Sequence, residues 1–181
     1  MNHFITYSSR PAVPLFICLL GGVFWTARLP AAPQSGQVTV AVGDVKFTPA
    51  GGKELAIQAG DKVSTGGTVK TGPASRAVIV ITPRSAIRIA ENSVLVIEEV
   101  TETTTPKKVM LDLKSGSLGA LLKPGKPGEM NFNIRTPSGI AAARGTFFAV
   151  AVENGKGYAQ VKEGRVEITP KGTKVDGKKK K

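Results

Sequence analysis

The 181-residue chain holds a single cysteine, Cys18, and a single histidine, His3, both within its first eighteen positions. One cysteine excludes an intrachain disulfide framework, and the usual zinc donors are missing from the rest of the chain. No loop carries the closely alternating acids of a calcium site. Aromatic residues make up 6% of the chain, and no basic stretch is interleaved with them as a base-stacking platform would be, so nucleic acid is not an expected partner. Acids number 13 against 25 Lys and Arg, a formal net charge of +12. Helical periodicity is scarce too: beyond the N-terminal region only Ile140-Ala141-Ala142-Ala143 reads as helical, and only for a turn.

One apolar run stands out among what is present. From Pro11 to Ala27 there is no charged residue; Arg10 precedes the run and Ala31 and Ala32 follow it. A basic flank, a short apolar stretch and a small-residue exit make a secretory signal peptide over residues 1–31, cut after Ala31. A bulky Ile17 before Cys18 argues against lipid attachment there. The competing reading keeps residues 11–27 as a membrane anchor. Its 17 residues sit at the lower limit for a span, and Pro11, Pro14, Gly21 and Gly22 weaken it.

From Gln37 onward the pattern is short apolar runs of period two. Val38, Val40 and Val42 alternate with polar or small residues; so do Ile87 and Ile89, Val109, Leu111 and Leu113, and Phe148, Val150 and Val152. Such alternation sets one face of each strand on a core. Ala77-Val78-Ile79-Val80-Ile81 is continuously apolar, as in a strand covered on both faces. Turn signals separate the runs at Gly51-Gly52, Gly66-Gly67, Gly72-Pro73, Ser115-Gly116 and Pro124 to Gly128. Asn154-Gly155 is a strong hairpin signal, and Glu163-Gly164 reads as another. About ten short strands without βαβ spacing predict one all-β domain over residues 37–169, a rolled sandwich or a solenoid-like stack. Residues 170–181 form a tail; from Lys171 on it holds six Lys and one Asp, a net +5.

The order of several segments resembles the FecR family. These are Val42-Gly43-Asp44-Val45, Gly60-Asp61-Lys62-Val63, Thr71-Gly72-Pro73-Ala74-Ser75, Asn92-Ser93, Thr136-Pro137, Arg144-Gly145-Thr146 and Glu163-Gly164-Arg165-Val166. The resemblance runs from about Val42 to Ile168 and implies the periplasmic all-β domain of that family, with Gly60, Asp61, Thr71, Gly72, Thr136, Pro137, Arg144, Gly145, Thr146 and Gly164 as motif residues. Thr82-Pro83-Arg84-Ser85 departs from the family's acidic residue and Gly before Ser. Parent regulators carry a cytoplasmic segment that engages a sigma factor and a C-terminal subdomain. Here about ten residues precede the apolar run and twelve follow Thr169, so the fold carries over more directly than sigma regulation.

The motif residues read first as backbone devices. Gly145 permits a bend that a Cβ resists, with Arg144 and Thr146 placed to satisfy carbonyls beside it. Thr71-Gly72-Pro73 and Thr136-Pro137 are turn-formers. The densest acid group, Glu98, Glu99 and Glu102, is the one candidate for carboxylate catalysis of glycan hydrolysis, and it reads more simply as a solvated strand end. The expectation is therefore an exported, non-enzymatic binding module without cofactor or metal. Its expected partner is an envelope protein or an anionic envelope polymer, with membrane-surface contact through the Lys-rich tail.

Overall fold

A computed structural model describes residues 35–123, 125–126 and 128–171, without the side chains of Ser35 and of residues 144–146. The signal-peptide assignment and the tail beyond Lys171 lie outside the described residues. The described chain is all-β, with twelve strands: β1 (Ser35–Val42), β2 (Val45–Thr48), β3 (Leu55–Ala56), β4 (Lys62–Ser64), β5 (Thr68–Thr71), β6 (Arg76–Thr82), β7 (Ser85–Ile89), β8 (Val94–Thr101), β9 (Lys107–Leu122), β10 (Met130–Thr136), β11 (Gly139–Glu153) and β12 (Lys156–Pro170).

Hydrogen bonding links all twelve, in the order β3-β2-β5-β8-β9-β7-β6-β1-β4, with β10, β11 and β12 branching from β9. The branching arises because β9 pairs with four strands. Its first half lies antiparallel to β8 and parallel to β10, its second half antiparallel to β7 and β11. A straight strand of this length would place its ends about 50 Å apart. The connection from Leu122 must nevertheless return to Lys107, where β10 begins its pairing, over a reach of only about 29 Å. β9 is therefore bent. The corner is Ser115-Gly116, where Gly116 has φ +81°.

Bent strands turn one sheet into two layers. The first holds β3, β2, β5, β8, the first half of β9, β10 and the first arms of the β11–β12 ladder, up to Arg144 and Arg165. The second holds β4, β1, β6, β7, the second half of β9 and the remaining arms of β11 and β12. Phe132 of the first layer meets Phe148 of the second edge to face, centroids 6.3 Å apart, so the inner faces touch. One buried cluster includes Phe47, Leu95, Leu111 and Ile134 from one layer and Ile79, Ile87, Leu118 and Val150 from the other. This is the rolled sandwich; no solenoid stack forms among the described residues.

Period two held where strands are regular: Ile87, Ile89, Val109, Leu111, Leu113, Phe148, Val150 and Val152 are all buried. Four local expectations are corrected. Val40 and Val42 are exposed because a bulge between Val38 and Val40 turns them outward. Only alternate residues of 77–81 are fully buried, Val78 and Val80 lying half-buried on the outer face. Ile140–Ala143 is strand: pairing with β10 on one side and β12 on the other overrides alanine's helical preference. Ser115-Gly116 and Glu163-Gly164 end no strand; both lie within strands that continue through them.

Candidate binding surface

The motif residues are distributed along the fold and tie turns and corners. Thr71 is buried at the end of β5; its hydroxyl donates to the Ala90 carbonyl at 2.6 Å and accepts from the Ser93 amide at 3.0 Å. Ser93 in turn donates to the Ser117 carbonyl and accepts from the Ser117 amide. That hydroxyl clamps the backbone just past the Gly116 corner. Gly72 exchanges backbone bonds with Asp44 and Asn92. Ser75 accepts from the Asp44 amide at 2.8 Å and donates to Pro73. Gly60 (φ +99°) and Asp61 close the turn before β4, where the Asp61 carboxylate accepts from the Gln58 amide. Thr136 donates to the Gly139 carbonyl across the turn holding Pro137.

Arg144, Gly145 and Thr146 sit where β11 crosses between layers. Pairing steps there from Arg144–Arg165 to Phe147–Glu163, leaving two residues of β11 opposite Gly164 alone. Gly164 has φ +88°. We expect Gly145→Val to lower stability by about 2 kcal/mol or more, because a β-branched residue resists a bend, and Arg144→Ala to stay within about 1 kcal/mol. Thermal melts compare them. An Arg144→Ala protein that melts normally yet loses partner binding would assign Arg144 to recognition instead.

Thr82–Ser85 has its own logic. The Thr82 and Ser85 hydroxyls bond at 2.8 Å. Arg84 pairs with Glu129 at 2.8 Å and donates to the Lys123 carbonyl, pinning the return loop between β9 and β10. The Lys126 amide donating to the Glu129 carboxylate, with the Arg84 guanidinium beside it, holds Glu129 below the usual carboxylate range. The segment thus fastens the loop that the bent β9 requires.

The three candidate acids do not converge. Glu98 is committed to Arg135 at 2.6 Å, Glu99 accepts from Thr101, and Glu102 lies in the loop that follows β8. Among the described residues no group of three His, Cys, Asp or Glu could hold a metal ion.

What the fold presents instead is an apolar outer face on the second layer. Strand registers align Val40 with Val78, Val80 with Ala86, Ala86 with Leu121, and Leu121 with Phe147. Ala149 and Ala151 extend the face toward Gln160 and Tyr158. Exposures of 51% at Leu121, 40% at Phe147 and 54% at Tyr158 mark it as unlike an ordinary sheet surface, where the solvent side is polar. Arg88 stands within it, in register with Val78 and Gly119, Arg76 pairs with Val42 at its margin, and the Lys162 ammonium lies 5.6 Å from the Phe147 ring centroid. Composition gave no sign of this face, because alternation assigns residues to two sides of a sheet without saying which side is covered.

With the fold in place, the sequence model of the family described as FecR protein matches residues 67–167, more than half of the chain. The chain belongs to the FecR family. The matched range spans β5 through most of β12 and includes the Thr71, Ser93, Thr136, Gly145 and Gly164 devices. The segments at 42–45 and 60–63 precede the FecR match. No curated protein and no solved structure matches the chain. FecR proteins are regulatory and associated with the cell envelope, which gives the domain a signalling context.

Proposed function

We propose that this FecR domain is exported and acts without catalysis, as a regulatory binding module in the envelope. Its recognition surface is the outer face of the second layer. The observation that carries the reading is the unbroken apolar row Val80, Ala86, Leu121 and Phe147, crossing four adjacent strands, with Leu121 and Phe147 left in solvent and Val80 and Ala86 half-buried beside them. A soluble monomer rarely leaves such a row open, whereas interface cores are built from it. An envelope protein fits this face; the Lys-rich tail adds attraction to anionic polymers or lipid head groups, about 1 kcal/mol per Lys near a charged surface.

Cross-linking of the protein in envelope fractions tests this. Leu121→Asp and Ala149→Asp, both at exposed positions, are expected to leave the melting temperature unchanged and to weaken the cross-linked complex about tenfold or more. Equal capture by wild type and both variants would overturn the surface assignment. The FecR signalling context and the uncharged run at residues 11–27 support a second reading, in which that run is kept as an anchor. Intact mass separates the two: a chain starting at Ala32 is exported and free, and a retained Met1 marks the anchored regulator.

A further inference from the structure

Three strands end the ladder. β3 has two residues and β4 has three, the short form in which sheets ordinarily protect their edges. β12 has fifteen, and among the described residues it forms the outer edge of both layers and pairs only with β11. Its core-facing residues are left partly open: Val161 is 41% and Ile168 59% exposed, although each stands in register with buried Phe148 or Ala141. A pocket of about 210 Å³ opens between the two arms of β12, bordered by Ala141, Val150, Ala159 and Ile168. Among the described residues the core is thus left open along this edge.

The facing pattern of β12 identifies what completes it. Gly157, Ala159 and Val161 face inward with Val152, Val150 and Phe148; Val166 and Ile168 do so with Ala143 and Ala141. The inward positions change from odd to even numbers because the register shifts between Phe147 and Phe148, which leaves Lys162 as the extra residue. Lys162 lies over the outward Phe147 ring and Glu163 pairs with Phe147, so two consecutive residues face outward. An antiparallel copy of the same strand can match faces along its whole length in one register only, centred between Lys162 and Glu163.

In that register the pairs are complementary. Ala159 meets Val166 of the second copy, Gly157 meets Ile168 and Val161 meets Gly164, a small residue opposite a larger one each time. On the outer side Lys162 meets Glu163 twice across the symmetry axis, Gln160 meets Arg165 and Tyr158 meets Glu167. No like charges stand opposite each other. β12 carries three bases and two acids, so a strand from a chain of net charge +12 approaches its copy with little repulsion. From this we infer that the chain forms a two-fold dimer by β12–β12 pairing, joining both sheets across the interface. The inference rests on the edge of β12, whereas the row that carries the outer-face reading lies on β6, β7, β9 and β11.

Sedimentation of the purified protein, wild type against Lys162→Glu and Glu163→Lys, tests it. Wild type is expected to dimerise. Each variant alone places like charges at both central pairs and should weaken the dimer about tenfold, two cross-strand pairs changing from attraction to repulsion. An equimolar mixture of the two variants has opposite charges at both pairs and should dimerise as wild type does. Circular dichroism melts should be unchanged, both positions being exposed. A wild type monomeric at all concentrations, single variants that dimerise normally, or a mixture that stays monomeric would each overturn the proposal.

Discussion

Gly116→Ala is expected to lower stability by about 3–5 kcal/mol, while Gly155→Ala costs about 1 kcal/mol. The two glycines share a left-handed backbone, φ +81° and +74°. They differ in what a side chain would meet. A Cβ on Gly155 has nothing within 4 Å, so only the backbone conformation is penalised. A Cβ on Gly116 would lie 2.6 Å from the Ser93 Cα and nearer still to its hydroxyl oxygen, inside van der Waals contact with backbone. Ser93 cannot yield without releasing Thr71 and Ser117, whose bonds to it hold the β9 corner. Denaturant unfolding of both variants measures the difference. Equal costs would mean that the corner is not packed against Ser93 and that the two layers are joined more loosely than described.

Phe148→Ala should cost about 3–5 kcal/mol and Phe147→Ala no more than about 1 kcal/mol. These adjacent residues of β11 face opposite sides. Phe148 is 1% exposed and packs edge to face on Phe132, bridging the layers at the centre of the core. Its removal leaves a cavity between two sheets that other strands hold apart, so little collapse can fill it. Phe147 is 40% exposed, its partner Leu121 is open to solvent, and Lys162 lies over its ring. The pair of melts also reads the register after the Arg144–Phe147 step. A one-residue slip there would exchange the two faces and reverse the order of the two costs.

The candidate surface was only partly legible in the sequence. The motif residues were visible as turn chemistry, and Thr71, Gly72 and Thr136 do close turns through hydrogen bonds to neighbouring segments. Arg84 was visible only as a departure from a family pattern; its bridge to Glu129 crosses 45 positions and has no local signature. The apolar outer face escaped for a related reason. Val80, Ala86, Leu121 and Phe147 come from four strands, and only the ladder order makes them one surface.

By itself the sequence determined that the domain is all-β, where most strands lie and, in the regular strands, which residues share a face. A period of two is a property of the extended backbone, and it needs no knowledge of neighbours. The Asn154-Gly155 hairpin was equally local, since both residues take the positive φ that a tight turn demands. The tertiary structure alone decided where strands stop. A glycine with positive φ serves a chain-reversing turn and a corner within a continuing strand equally well. Ser115-Gly116 and Glu163-Gly164 become corners because β7, β11 and the second arm of β12 find partners beyond them. Ile140–Ala143 becomes strand for the same reason: hydrogen-bonding partners on both sides outweigh a helical preference of a few tenths of a kcal/mol per residue.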